Sequence, residues 1–163
     1  IVRAGQEDFK DLYELEECVP FQLKGHFAVV TVFIDGKRYH FGIDTGAEAN
    51  VINKKLYGKL KRTAILESHK IAVRGIDHNQ LFVRKCLMRN IVIEGQSYPG
   101  QEFVFSDLNH LNKAYDIQLD GLLGYPFLKD YLYSLNYQNR ELCFWQRKQT
   151  EVPDLPMTYH KDR

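Results

Sequence analysis

Phe41-Gly42-Ile43-Asp44-Thr45-Gly46-Ala47-Glu48-Ala49-Asn50-Val51-Ile52 is the stretch on which the reading of this chain turns. Upstream of it, His26 to Ile34 is rich in valine and phenylalanine, and Asp35-Gly36 follows at once. Tyr39, Phe41 and Ile43 then alternate with His40, Gly42 and Asp44. Two apolar runs flanking Asp-Gly are a strong hairpin signal, because that dipeptide accepts the left-handed backbone of a two-residue turn. Asp44 is therefore expected where the second strand of a hairpin runs out into a loop. On its own, Asp44-Thr45-Gly46 also fits an ordinary Asx turn after a strand.

Further along, Asn53 can cap a short helix reaching Leu60. Leu66–Val73 and Gln80–Glu94 read as strands around a turn at Gly75–Asn79. Glu94-Gly95-Gln96 is a second turn, and Ser97–Phe105 another strand. Ser106–Gln118 reads as a polar loop. Asp120-Gly121-Leu122-Leu123-Gly124 is short, apolar and stopped by glycine, and Pro126 suits the first turn of a helix to about Leu132. Ser134–Trp145 reads as a closing hairpin turning near Gln138-Asn139. The first 20 residues carry weak helical spacing (Phe9, Leu12, Tyr13) ended by Pro20, and the tail from Gln146 holds two prolines and many charges. Many strands with few helices predict an all-β domain closed into a barrel.

The aspartate loop, the apolar pair Val51-Ile52 and the downstream Leu122-Leu123-Gly124 with Pro126–Leu132 together resemble the retropepsins, the family of retroviral proteases and their cellular and bacterial relatives. The resemblance spans about Phe21 to Trp145. It implies a retropepsin-like closed barrel, a single pepsin-type lobe, with one or two short helices. The implied division is an N-terminal arm (1–20), a protease domain (21–146) and a C-terminal tail (147–163). It also implies that Asp44, Thr45 and Gly46 form the catalytic loop and that Leu122, Leu123 and Gly124 support it from behind. By the same resemblance, Ala47 would face the substrate backbone, and a flap carrying Arg74, Gly75, Ile76 and Asp77 would close over the cleft. The chain departs from the viral pattern in two places. Asp77, His78 and Asn79 occupy the flap tip where viral members are richer in glycine, and Tyr125 stands where they carry a dimer-holding arginine.

The chemistry wants such residues for a definite reason. Hydrolysing a peptide bond without a covalent intermediate needs a base to activate water and an acid to protonate the leaving group. Two carboxylates sharing one proton do both, since like charges held that close cannot both ionise. This chain contains one Asp-Thr-Gly and no Asp-Ser-Gly, so each copy supplies only Asp44. The expectation is an aspartic endopeptidase whose dyad pairs Asp44 with its copy across a two-fold homodimer, acting on an extended peptide or protein. Gly46 is expected to let the backbone turn tightly beneath the carboxylate. A second reading keeps the fold but makes it a catalytically weak or inactive dimerisation or peptide-binding domain.

Composition excludes other classes. With 22 basic and 21 acidic residues among 163, nothing suggests a nucleic-acid partner, and no apolar run reaches membrane-spanning length. The histidines at 26, 40, 69, 78, 110 and 160 have no metal-ligand spacing, and neither a Gly-x-Ser-x-Gly nor a phosphate loop occurs, so no metal or cofactor is expected. His40, four residues before Asp44, reads as coincidence rather than a dyad. Cys18, Cys86 and Cys143 are odd in number and widely spaced, and are expected to be reduced packing residues. A start at Ile1 rather than Met tilts the expectation towards an exported protein.

Overall fold

The computed structural model describes residues 9–74 and 80–149. Eleven strands dominate it: β1 (Tyr13–Pro20), β2 (Gln22–Lys24), β3 (Phe27–Ile34), β4 (Lys37–Ile43), β5 (Val51–Asn53), β6 (Ala64–Arg74), β7 (Gln80–Ile93), β8 (Gln96–Ser106), β9 (Gly121–Leu123), β10 (Leu132–Asn136) and β11 (Glu141–Arg147). Neighbouring strands run β3-β4-β9-β5-β8-β7, and a pairing of Phe33 with Val92 joins β7 back to β3. Six strands thus close a barrel, with β2 and β6 added outside the ring. A separate sheet of order β1-β11-β10 packs beside it.

Local chemistry explains the corners. Asp35 (φ 51°) and Gly36 (φ 74°) both take left-handed backbone between β3 and β4, as a type I′ hairpin turn requires. Along β3 the side chains alternate faces. Ala28, Val30, Val32 and Ile34 point into the main core with Phe41, Ile52, Met88, Phe103 and Leu123. Val29 points the other way, into a smaller cluster with Leu108, Ile117, Leu119 and Leu122. Burying each large apolar side chain contributes roughly 1.5–3 kcal/mol, so the barrel interior is the principal source of stability.

Four expectations are corrected. Cys18 and Cys143 are not reduced: they face one another across β1 and β11 and form a disulfide, leaving Cys86 as the buried free thiol. Among the described residues the helical spacing at the N-terminus holds for residues 9–12, and Tyr13–Pro20 is a strand zipped along β11. Its acidic run hid the strand, because Glu14 and Glu16 sit on the wet face of a sheet edge. The loop Ser106–Gln118 contains a helix, Asn109–Tyr115, started where the Asp107 carboxylate accepts the Asn109 N–H at 2.8 Å. The helix after Gly124 ends at Leu128 rather than Leu132.

Candidate active site

The barrel's topology delivers the Asp44 loop to a fixed place. Strand β9 lies between β4 and β5, parallel to the first (Ile43 opposite Leu123) and antiparallel to the second (Val51 opposite Leu122). The loop 44–50 therefore bridges two strands separated by a third that arrives from 70 residues downstream. Hydrogen bonds lace it to that third strand. The Asp44 N–H donates to the Leu123 carbonyl at 2.9 Å, and the Tyr125 N–H donates to the Ala47 carbonyl at 2.9 Å. On the far side the Asn53 N–H donates to the Asp120 carbonyl at 2.7 Å. The Leu122-Leu123-Gly124 segment thus lies directly against the aspartate loop.

Close approach is built into two glycines. A Cβ on Gly121 would collide with the Phe41 ring and the Val51 carbonyl. One on Gly124 would sit 2.7 Å from the carbonyls of both Ala47 and Ala49. At Gly46 the expected reason fails. Its backbone is outside the left-handed region, and among the described residues an added Cβ would meet only Asp44 Oδ1, at 3.6 Å. Nothing among the described residues therefore requires glycine there.

At the loop itself, Asp44 is half-buried and Thr45 and Gly46 are exposed. Asp44 Oδ1 accepts the Gly46 N–H at 3.1 Å, and the Asp44 carbonyl accepts the Ala47 N–H at 3.1 Å. The Asx-turn hydrogen bond is thus present, and it fixes the carboxylate rather than consuming it: Oδ2 and the Thr45 hydroxyl have no hydrogen-bond partner among the described residues. His40 is not coupled to Asp44. Its N–H donates to Asp120 Oδ2 at 2.8 Å, and its ring Nδ1 lies 4.0 Å from the same oxygen.

Two supporting residues escaped the sequence reading. Asn50, buried to 1% exposure, accepts the Gly124 N–H on Oδ1 at 2.8 Å and donates from Nδ2 to the Glu102 carbonyl at 2.9 Å. One amide side chain so joins the aspartate loop, β9 and β8. Asp120 ties the start of β9 to β4 through both its carboxylate and its own N–H, which donates to the His40 carbonyl at 2.8 Å. A buried amide immediately before an apolar pair is the signal that would have found Asn50.

The other site residues divide cleanly. Ala47 is beside Asp44 and half-buried. Arg74 ends β6 opposite Gln80 at the last pair of the β6–β7 hairpin. Gly75, Ile76 and Asp77 lie outside the described residues. Among the described residues one cluster has metal-type ligands, Cys18, Glu141 and Cys143, and its two sulfurs are bonded to each other. No described helix is long and apolar enough to cross a membrane.

Comparison with known proteins bears on the fold and the family. The crystal structure of a retropepsin-like aspartic protease from Rickettsia conorii superposes with a TM-score of 0.55 at 15% identity, covering 84% of this chain and 96% of that one. The retroviral protease-like domain of Ddi1 from Leishmania major gives 0.49 at 14% identity, covering 72% and 93% respectively. No curated protein sequence matches the chain. The fold is therefore retropepsin-like, with the closed all-β barrel expected from the strand pattern. A family model described as aspartyl protease matches residues 30–127, from within β3 to the helix after Gly124, and the chain belongs to that aspartyl protease family.

Proposed function

We propose that the chain is an aspartic endopeptidase that works as a two-fold homodimer, with Asp44 from each copy forming the catalytic dyad. The observation that carries this reading is the anchoring of the Asp44 loop on Leu123 and Tyr125, with Thr45 and Gly46 left exposed. A carboxylate fixed on a rigid barrel, with one oxygen uncommitted, suits a group that shares a proton with a symmetry mate. Gly46 supports the same reading. A glycine that no described residue requires is explained when a second copy or a substrate backbone comes close.

In this mechanism one Asp44 is ionised and takes a proton from water, while the other is protonated and gives one to the leaving amine. Thr45 would bond across the two-fold axis and hold the loops together. Ala47 leaves room beside an extended substrate, and the β6–β7 hairpin, ending in Arg74 and the segment 75–77, would fold over it as the flap. Neither a metal nor a cofactor has a step to perform. A cystine persists in oxidising compartments, which supports an exported protein.

The test is Asp44→Asn, assayed on an unstructured protein substrate. The variant should keep its fold and lose about a thousandfold or more in turnover. Turnover equal to wild type would overturn the reading.

A further inference from the structure

Strand β1 contains an irregularity that the aspartate chemistry does not use. Its register against β11 shifts between Leu15 and Glu17, so Glu16 is the extra residue of a β-bulge. In a regular strand consecutive side chains face opposite ways. A bulge cancels that alternation and re-aims a side chain. Here it brings Glu16 and Glu17, adjacent in sequence, to the wall of one cleft of about 190 Å³.

The rest of that wall is three aromatic residues and the polar pair Gln96 and Ser97. Tyr98, Tyr131 and Phe144 line the cleft, with ring centroids 5.7 Å apart for Tyr98 and Tyr131 and 5.5 Å for Tyr131 and Phe144, both nearly edge to face. Tyr98 is only 8% exposed, yet among the described residues its hydroxyl has no hydrogen-bond partner. The hydroxyl is not sealed from solvent, so on this largely buried residue it stays open to a partner from outside the chain. Neither glutamate is ion-paired among the described residues.

Negative charge accumulates there. The Glu17 carboxyl is held above its ordinary range, first by burial and then by Glu16 and Glu94. The Tyr98 phenol is pushed up to about 12, first by burial and then by Glu17, Tyr131 and Glu16.

We propose that this cleft binds an organic cation, the ammonium or guanidinium head of a lysine or arginine side chain. Glu16 and Glu17 supply the charge, the Tyr98 hydroxyl accepts a hydrogen bond, and the rings of Tyr131 and Phe144 receive the cation and its apolar stem. A hard metal ion is the poorer fit, because it demands six or more oxygen ligands and three of the seven lining residues present aromatic rings. The site is independent of Asp44 and of the peptidase reading.

The experiment is NMR titration of protein carrying 13C-labelled tyrosine, with Nα-acetyl-lysine amide and Nα-acetyl-arginine amide as probes. Nα-acetyl-leucine amide is the neutral control, and calcium chloride tests for a metal site. The Tyr98 and Tyr131 ring signals should shift saturably with the cationic amides, more weakly at high salt, and not with the leucine amide. Glu17→Gln should weaken binding by about tenfold with the remaining spectrum unchanged, and exposed Glu16→Gln provides a second variant should the first disturb folding. The proposal is overturned by no saturable shift, by an equal response to the leucine amide, by a response to calcium alone, or by undiminished binding in both variants.

Discussion

Gly124 donates its N–H to the side-chain oxygen of Asn50, a buried 2.8 Å bond that spans 74 residues of sequence. It fastens the apolar segment behind the aspartate loop to the loop's own far end. Because Asn50 also donates to the Glu102 carbonyl, its amide is satisfied at both ends and joins the end of the aspartate loop to β8 and to the residue that follows β9. Fully satisfied buried polar groups specify a single arrangement, while the same groups left unpaired are costly.

Asn50→Leu should therefore destabilise the fold by about 2–4 kcal/mol, since it strands a buried N–H and a buried carbonyl together. Chemical denaturation with an unchanged m-value is the check. A loss below about 0.5 kcal/mol would mean that the amide does not bind these strands.

Gly121→Ala should be at least as damaging. The added methyl would meet the Phe41 ring and the Val51 carbonyl, neither of which can retreat within the barrel. Overpacking of this kind costs about 1–3 kcal/mol, and more where backbone blocks relief. Thermal unfolding should show a clear fall in Tm, whereas Gly46→Ala should leave Tm nearly unchanged and act on turnover instead. Equal Tm losses at both positions would contradict the distinction drawn between them.

Much of this was legible in the residues. The Asp35-Gly36 and Glu94-Gly95 turns announce their hairpins because few other dipeptides accept two consecutive left-handed residues. The aspartate loop and Leu122-Leu123-Gly124 were readable as a pair, since each is short, apolar-flanked and stopped by glycine. What escaped were contacts made only in three dimensions. The Cys18–Cys143 bond joins residues 125 apart, and no spacing rule links them until β1 is seen beside β11. Strand β1 itself was obscured by Glu14, Glu16 and Glu17, and its bulge breaks the alternation that would have revealed it. The helix Asn109–Tyr115 packs its few apolar neighbours, Leu108 and Leu111, on a satellite cluster too small to leave a helical period in the sequence.

The three cysteines make a separate prediction. Burial pushes the Cys86 thiol up to about 11, so at pH 8 it stays protonated and unreactive in the native protein. A thiol reagent should label nothing in the native state, one group after unfolding without reductant, and all three after unfolding with it. Replacing Cys18 and Cys143 together by serine should cost about 3–5 kcal/mol, because the bond closes a long loop. Full labelling after unfolding without reductant would show that the disulfide does not form.

Under the proposed mechanism each active site draws one Asp44 from each of two chains, and subunit mixing distinguishes this from a site complete within one chain. A fixed amount of wild type is equilibrated with rising amounts of Asp44→Asn protein, and cleavage of an unstructured substrate is measured. If the dyad is shared, every mixed dimer is inactive. Activity per wild-type chain should then fall in proportion to the wild-type fraction of the mixture. Activity that stays constant as the variant is added, with exchange of subunits verified, would mean that a single chain carries a complete catalytic site and that no dyad is shared.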